Sequence, residues 1–358
     1  MNINSIQNNI NFSGKYALSN YKACLKGGAM GDALGWPVEF MNLRFIKNRY
    51  GAKGIQDLVL NYKNKAEITD DTQMTMFTAD GLLKNACKTL NLNKVPDMKV
   101  IFDSYKLWLN TQYSKAIQKG KGWISEISGL YENRAPGTTC TSSVIKNIPG
   151  SIENPINSSC GCGGVMRVAP VGLMYKDNPE LAFEVGARCA ALTHGNPRAY
   201  LPAGVMSGMI ANIIGGDDIP TALDKNLKTL EKYDRNRPVL DILNKAKNYA
   251  DTNVSPKEAI YDLGEGWYGD EALAISVYCA LKEPEDFQKA VRMAVNHDGD
   301  SDSTGAILGN LMGAHLGMEK LPEDWAEKIE LTNELDVLAE DLFSNPYNIK
   351  DAARRYPI

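Results

Sequence analysis

The sequence is poor in histidine, has no long apolar run and carries no excess of positive charge. Three of its 358 residues are histidine, and its seven cysteines lack the paired spacing that zinc sites use. An odd number of irregularly spaced cysteines also argues against a disulfide framework. It predicts reduced thiols, and therefore a cytoplasmic protein.

Two further absences narrow the class of partner. A formal net charge of −4 without a basic stripe argues against nucleic-acid binding, which needs cations to neutralise phosphates. No segment approaches the roughly 20 apolar residues that a membrane helix needs, and the Asn-rich N-terminus lacks the pattern of a secretory signal. We therefore expect neither a nucleic-acid partner nor a membrane partner, and we expect a monomer.

Most of the apolar patterns in the sequence have helical periodicity. Residues 331–343 carry an apolar stripe at helical spacing, and residues 270–281 form a nearly continuous apolar helix after an acidic start. Residues 216–256 are rich in Lys and Asp with amphipathic spacing, which predicts an exposed helical excursion. Strand signals are few, and residues 57–62 are the one short candidate.

Small residues recur every four positions in three of the helical segments. This spacing puts each set on one helix face, and because glycine costs a helix up to about 1 kcal/mol, the stripes predict close contact between buried helices. The pattern predicts an all-α fold: a single compact multi-helix domain at 18–358 after a polar N-terminal extension at 1–17. The stripes are Gly27, Gly31 and Gly35; Ala203, Ser207, Ala211 and Gly215; and Gly305, Gly309, Gly313 and Gly317.

Two oxygen-rich clusters stand at predicted helix starts. Carboxylate and hydroxyl oxygens without nitrogen or sulfur are typical ligands of Mg²⁺, Mn²⁺ or Ca²⁺. The same residues also suit helix caps, with Ser303 or Thr304 capping the second helix. Capping does not need a doubled acid at both starts, so the pattern favours a metal site. The clusters are Thr69, Asp70 and Asp71 in ITDDTQM, and Asp300, Asp302 and Ser303 in HDGDSDST.

In order and spacing, six segments resemble the signature blocks of the ADP-ribosylglycohydrolase family over about residues 20 to 345. They are GGAMGDALGWPVEF, ITDDTQM, SSCGCGGVMRVAPVGL, LTHGNPRAYL, EGWYGDEALAISVYCAL and HDGDSDSTGAILGNLMGAHLG. The resemblance implies an all-helical fold with two Mg²⁺ ions, or Mn²⁺, at the base of an ADP-ribose cleft. It implies ligation by Thr69, Asp70, Asp71, Asp300, Asp302 and Ser303.

The same resemblance suggests catalytic roles for three acids. Asp71 and Asp302 are candidates for both metal ligation and proton transfer, and the sequence does not distinguish which of them moves the proton. Glu39 matches a glutamate that lies over the metals in some family members. Asp32, inside the preceding helix, is expected to cap or hold a neighbouring loop.

A glycine-rich loop is the candidate phosphate cradle. Gly161, Gly163 and Gly164 allow backbone N–H groups to converge on an anion, and the following VMRVAPVGL looks helical. Cys162 is expected to be a small packing residue of this loop. The resemblance places His194 along the ADP-ribose cleft, with a satisfied loop histidine as the alternative.

Two aromatic residues and one histidine complete the candidate set. Trp267 and Tyr268 are candidates to stack on adenine, as an aromatic residue at this block does in relatives, and a core contact is the alternative for both. His297 is a candidate partner for the second acid cluster.

The leading functional hypothesis is removal of ADP-ribose from arginine side chains of mono-ADP-ribosylated proteins. Ser303, where the serine-linkage branch commonly has threonine, and the SCGCGGVMR loop favour the arginine branch. Hydrolysis of serine-linked ADP-ribose or O-acetyl-ADP-ribose, and reactivation of a modified nitrogenase reductase, are alternatives within the family. An immunity protein that blocks an ADP-ribosylating toxin through residues 1–17, and an inactive structural descendant, are alternatives outside it.

Overall fold

Helices account for the regular secondary structure of the computed structural model, which describes residues 18–344 and 348–357. The N-terminal extension at 1–17, and with it the hypothesis of toxin insertion, lies outside the described residues. Within them there are seventeen α-helices: α1 Leu18–Gly35, α2 Leu43–Tyr50, α3 Asp70–Thr89, α4 Met98–Tyr113, α5 Thr138–Ile145, α6 Ala169–Met174, α7 Pro179–Ala191, α8 Pro197–Gly215, α9 Ile219–Leu230, α10 Arg237–Ala250, α11 Pro256–Leu263, α12 Gly269–Lys282, α13 Phe287–Val295, α14 Ser301–Leu316, α15 Glu323–Lys328, α16 Thr332–Phe343 and α17 Ala352–Arg355.

Short 3₁₀ turns and isolated bridges complete the described secondary structure. The 3₁₀ turns are Trp36–Val38, Trp123–Glu126, Ser128–Leu130, Cys162–Gly164 and Met318–Lys320. The strand expected at 57–62 does not form, because only Leu60 pairs, through an isolated bridge to Ala66. The all-α prediction is confirmed for the described part of the chain.

Two glycine stripes meet where α1 packs antiparallel against α14. A Cβ atom added to Gly31 would lie 1.9 Å from the carbonyl oxygen of Gly305, and one added to Gly309 would lie 2.0 Å from that of Gly27. The helix backbones are therefore in direct contact, and any side chain here would force them apart. Gly317 was predicted to belong to this stripe but lies beyond α14, where it caps the helix C-terminus with φ of 74°.

The third stripe is only partly used for packing. Ser207 of α8 approaches α7, since a Cβ atom added to Gly186 would lie 2.2 Å from the Ser207 Oγ and 2.7 Å from the Ala203 carbonyl oxygen. Gly215 ends the helix, and an added Cβ atom would meet only the Lys176 carbonyl oxygen at 3.9 Å. Close approach by this stripe is therefore seen at Ala203 and Ser207 and not at Gly215.

The peripheral helices bury one face each. The excursion predicted at 216–256 forms α9 and α10, and both have a buried apolar face as well as the expected exposed one. The stripe at 331–343 becomes α16, although Leu331 precedes the helix and Phe343 is 39% exposed. None of the helices in the described ranges is both long enough and apolar enough to cross a membrane.

The glycine contact between α1 and α14 generates a stability prediction. Gly31→Ala should lower the free energy of unfolding by about 2–3 kcal/mol, because the new methyl group overlaps backbone that cannot move away. Gly215→Ala is the matched control: it has room for the methyl group and should be neutral or stabilising by up to about 1 kcal/mol. Urea denaturation followed by circular dichroism measures both. Equal midpoints for the two variants would contradict the packing account.

Candidate functional site

The first acid cluster is held in place by a buried carboxylate of α1. Asp32 accepts hydrogen bonds from the backbone N–H of Thr69 at 3.0 Å, from that of Thr72 at 3.2 Å and from the Thr72 hydroxyl at 2.5 Å. The expectation that Asp32 holds a neighbouring segment is met by these contacts. Burial raises the pKa of Asp32 to about 6, although these hydrogen bonds oppose the rise. Asp32 therefore anchors the start of α3 to α1.

At the start of α3, the two acids have different surroundings. Thr69 is the N-cap, and its hydroxyl oxygen accepts from the N–H of Asp71 at 3.2 Å. Asp70 Oδ2 accepts from the N–H of Gly137 at 3.0 Å. Asp71 Oδ2 is buried without a hydrogen-bond partner among the described residues. An unpartnered buried carboxylate oxygen is costly, so this oxygen is suited to a ligand.

The second cluster lies at the start of α14. Asp300, and not Ser303 or Thr304, is the N-cap: its carboxylate accepts from the N–H of Ser303 at 3.3 Å. Asp302 Oδ1 accepts from the same N–H at 3.0 Å. His297 supports this turn, since its Nε2 lies 2.9 Å from the Thr304 hydroxyl and its Nδ1 lies 2.6 Å from the Asp298 carbonyl oxygen.

Glu39 completes the acidic group. It follows the 3₁₀ turn at Trp36–Val38, and one of its carboxylate oxygens lies within 4.8 Å of a carboxylate oxygen of both Asp300 and Asp302. Its Oε2 is buried and has no hydrogen-bond partner among the described residues. Burial, together with the charges of Asp300, Asp70 and Asp32, raises the pKa of Glu39 to about 9.

Burial also raises the pKa of Asp70 and of Asp302. It raises that of Asp70 to about 8, although the Gly137 N–H opposes the rise, and the charges of Asp32 and Asp300 add to it. For Asp302, burial acts first and the charges of Asp71, Asp300 and Glu39 follow. The protein alone supplies too little positive charge for this site.

The donor set fits a divalent cation. Carboxylate oxygens of Glu39, Asp300 and Asp302 lie together, the charge of Asp71 acts on Asp302, and one oxygen each of Glu39 and Asp71 has no hydrogen-bond partner among the described residues. Hard oxygen ligands of this kind suit Mg²⁺ or Mn²⁺, whose charge would offset the repulsion among the acids. The residues present could therefore hold such a group.

The glycine-rich loop packs against the second cluster. The Cys162 thiol donates to Asp300 Oδ2 at 2.8 Å, and the Cys162 N–H donates to the Trp267 carbonyl oxygen at 3.0 Å. A Cβ atom added to Gly163 would lie 2.7 Å from Cys140 Sγ, and one added to Gly164 would lie 2.8 Å from Ala190 Cβ. Packing thus requires both glycines.

The helix expected directly after this loop begins later. Residues 162–164 form a 3₁₀ turn, and α6 starts at Ala169. The N-terminal dipole of α6 therefore does not act on the loop, because dipole effects are confined to the first turn. Gly161 pairs with Tyr268 through an isolated bridge, which joins the loop to the segment that carries the aromatic residues.

His194 and a buried arginine lie beneath the loop. His194 Nδ1 is 2.8 Å from the Thr193 hydroxyl, and burial, with the charge of Arg167, lowers the pKa of His194 to about 3. Arg167 is fully buried and donates to the Thr193 hydroxyl at 2.7 Å and to the Cys189 carbonyl oxygen at 3.0 Å. Sequence reasoning did not single out Arg167, although a lone arginine within an apolar run was the available signal.

Aromatic rings line the same side of the site. Tyr268 is 44% exposed, and the Arg198 guanidinium lies 4.6 Å from its ring centroid. Trp267 is stacked on Phe40, with centroids 5.2 Å apart and an interplanar angle of 22°. Phe40 and Arg198 were missed from sequence. The available sequence signal for Phe40 was its position directly after Glu39.

Comparison with known proteins shows the family and the fold of the chain. The family model described as ADP-ribosylglycohydrolase matches residues 15–351. The chain is 23% identical to ADP-ribosylhydrolase ARH3 of Danio rerio over 95% of both proteins, and 22% identical to ADP-ribosylarginine hydrolase Tri1 of Pseudomonas putida over 91% of this chain and 78% of that protein. A solved structure titled ADP-ribosylglycohydrolase-related protein complex matches 91% of this chain and 97% of its own with a TM-score of 0.56 at 23% identity.

The raised carboxyl pKa values generate a prediction for the metal-free protein. A folded-state pKa above the unfolded value means that the folded protein keeps protons that the unfolded chain has lost, so stability falls as pH rises between the two values. For Glu39 that window runs from its ordinary 4.5 to about 9. In chelator, the free energy of unfolding should decrease between about pH 6.5 and pH 8, where histidine contributes little.

Glu39→Gln is the control for this prediction, because an amide cannot titrate. The variant should show a shallower decrease over the same pH range, and added Mg²⁺ should stabilise the wild type more at the higher pH. Urea denaturation at several pH values in EDTA or MgCl₂ measures this. A wild-type stability that rises with pH, or the same slope in both proteins, would contradict the proposed electrostatics.

Proposed function

Because the chain belongs to the ADP-ribosylglycohydrolase family, we propose that it removes ADP-ribose from mono-ADP-ribosylated arginine side chains of proteins in a metal-dependent hydrolysis. The observation that carries the proposal is the group formed by Glu39, Asp300 and Asp302, on which the charges of Asp70 and Asp71 at the start of α3 also act. The free thiol state of all seven cysteines supports a cytoplasmic setting as part of the same proposal.

The proposed cofactor is a pair of Mg²⁺ ions, with Mn²⁺ as the alternative. When bound, such ions would orient the vicinal hydroxyls of the ribose and lower the pKa of a nearby water. Thr69 and Asp300, two of the proposed ligands, are the N-caps of α3 and α14. Their capping hydrogen bonds hold the acid-bearing first turns in place, which supports this assignment. The proposed ligands are Thr69, Asp70, Asp71, Asp300, Asp302 and Ser303.

In the proposed reaction, water adds to the anomeric carbon of the ribose while the bond from that carbon to the guanidine nitrogen breaks. The leaving nitrogen takes a proton, and the attacking water loses one, so the reaction balances as a hydrolysis. We assign the proton transfers to the carboxyl groups of Asp71 and Asp302. Glu39, half-buried beside Asp302, is assigned to cover the metal site until the substrate arrives.

The rest of ADP-ribose is assigned to the loop and the aromatic side. Gly161, Cys162, Gly163 and Gly164 would line the pyrophosphate, which a loop without bulky side chains allows. The N–H groups of Gly163 and Gly164 would be the donors, because that of Cys162 donates to the Trp267 carbonyl oxygen and that of Gly161 to the Ser159 hydroxyl. Neutral His194 beneath the loop would support it without adding charge. The exposed ring of Tyr268 would stack on adenine.

The most specific part of the proposal is that the cleaved bond joins ADP-ribose to arginine. The similarity to the arginine-specific relative and to ARH3 is nearly equal, at 22% and 23% identity, so overall similarity does not separate them. Ser303 at the second cluster and an acidic site near Glu39 favour a planar cationic leaving group, which carboxylates can pair with in a bidentate manner.

The metal assignment predicts the behaviour of the purified protein. It should release ADP-ribose from ADP-ribosylated arginine only with Mg²⁺ or Mn²⁺. Asp71→Asn and Asp302→Asn should each reduce the rate at least about 100-fold with helical content unchanged, because each removes a ligand and a proton carrier. Asp251→Asn, at the exposed end of α10, is the charge-matched control and should retain full activity. Full activity in excess EDTA would refute the metal mechanism.

The linkage assignment predicts substrate preference. The protein should cleave mono-ADP-ribosyl-arginine protein much faster than ADP-ribosyl-serine peptide, because the acidic site stabilises the guanidinium leaving group. Initial rates of ADP-ribose release from the two substrates, at equal concentration and saturating Mg²⁺, measure this. Faster cleavage of the serine linkage would move the protein to the serine-specific branch while leaving the hydrolase proposal intact.

A further inference from the structure

A basic cleft lies beside the catalytic loops on a protein of net negative charge. It has a volume of about 990 Å³ and runs between α2 with its following turn on one side and α11 and α13 on the other. Its lining includes six cations, Arg44, Lys47, Lys53, Lys257, Lys289 and Arg292, and two acids, Glu265 and Asp298. The formal charge of the whole chain is −4, so this concentration of cations is local.

Four of the six cations have no partner within the described ranges. Arg292 donates to the Gln56 carbonyl oxygen at 2.7 Å, and Lys289 pairs with Glu283 at 2.7 Å. The side chains of the other four make no ion pair or hydrogen bond with a described residue, and they are exposed: Arg44, Lys47, Lys53 and Lys257. Unpaired cations converging from opposite walls repel each other in the free protein, which a bound anion would relieve.

The cleft is physically connected to the proposed active site. The N–H of Leu43, four residues after Glu39, donates to Asp298 Oδ1 at 2.5 Å, and Asp298 lies two residues before Asp300. On the other wall, the carbonyl oxygen of Glu265 accepts from the N–H of Asp300 at 2.8 Å. A ligand in the cleft would therefore lie next to a substrate held at the acids.

The spacing of the cations suits a polypeptide. Arg44 and Lys47 are three residues apart on α2, so their Cβ atoms are roughly 5–6 Å apart, close to the roughly 6.6 Å between side chains on one face of an extended peptide. The floor between them and Lys257 contains the apolar side chains of Ile260 and Met293. An extended segment with alternating carboxylates and an apolar residue would match both features.

We propose that this cleft docks an acidic segment of the modified protein substrate, next to the ADP-ribosylated residue. The inference rests on the proposed function, because it names the kind of protein that the site would act on. The cleft adds affinity through charge pairs outside the reacting centre. It should therefore lower KM for protein substrates with acidic flanks and leave the chemical step unchanged.

The test uses two ADP-ribosylated peptides that differ only in one flank, which is an Asp/Glu tract in one and a Ser/Gln tract in the other. Full-length wild type should show a KM about tenfold lower for the acidic peptide, with equal kcat. The variant Arg44→Gln/Lys47→Gln/Lys257→Gln should lose this preference and cleave the neutral peptide as the wild type does.

The matched control is Lys88→Gln/Lys119→Gln/Lys121→Gln. It removes the same charge from exposed positions around the C-terminal end of α3, where Lys88 is on the order of 27 Å along that helix from Asp70, and should keep the preference. Loss of the preference in both variants would mean that the preference depends only on the net charge of the protein, which would overturn the proposal. Equal KM for the two peptides in wild type would also overturn the proposal.

A binding experiment separates this proposal from the hydrolase proposal. An unmodified fluorescent peptide with the acidic tract should bind wild type, bind the cleft variant at least about tenfold more weakly, and be released by salt as the charges are screened. Such binding without hydrolysis of any ADP-ribosylated peptide would refute the hydrolase function and support the docking cleft. Cleft-dependent binding of an oligonucleotide with no binding of the peptide would overturn the peptide assignment.

Discussion

The contact between the glycine faces of α1 and α14 is the constraint on which the site depends. Backbone contact at Gly31 and Gly305 sets α1 against the helix whose first turn carries Asp300 and Asp302. The residue after Gly31 is Asp32, which binds the first turn of α3 and so fixes the other acid cluster to the same helix. One helix thus brings together acids that lie far apart in the sequence.

This arrangement places carboxylates that repel one another in one buried site. Asp70 and Asp302, buried at the starts of two helices, are close enough to other carboxylates for those charges to raise their pKa values, and Glu39 adds a further negative group. The helix N-termini and the capping hydrogen bonds offset only part of this cost. A buried cluster that is poorly satisfied by the protein alone is the environment in which bound cations contribute most.

Much of the architecture could be predicted from sequence, for identifiable physical reasons. Four-residue glycine spacing indicates helix contact directly, and the sequence around Thr69 indicates a cap that the structure confirms. The metal-ligand role of the two acids after it stays a prediction. The prediction of a strand at 57–62 was wrong, because among the described residues this short run pairs only through the single Leu60–Ala66 bridge. The cap at Asp300 was missed because Ser303 and Thr304 suit the same role, and only backbone geometry separates them.

Features that depend on tertiary contact were beyond sequence reasoning. The stack of Phe40 on Trp267 and the basic cleft each join segments more than 200 residues apart, and no local pattern encodes such proximity. The site residues themselves could be proposed because their chemistry is concentrated in short segments. Their mutual distances could not, because those distances follow from how α1 holds the starts of α3 and α14.

The central claim is that the convergent acids of α3 and α14 form a cation site. Anomalous diffraction from crystals grown with Mn²⁺ tests it most directly, because the metal is located independently of any activity. The account predicts two anomalous peaks, each within about 2.5 Å of oxygens from Asp70 or Asp71 and from Asp300 or Asp302. Peaks located elsewhere, or none at these acids with Mn²⁺ in excess, would contradict it.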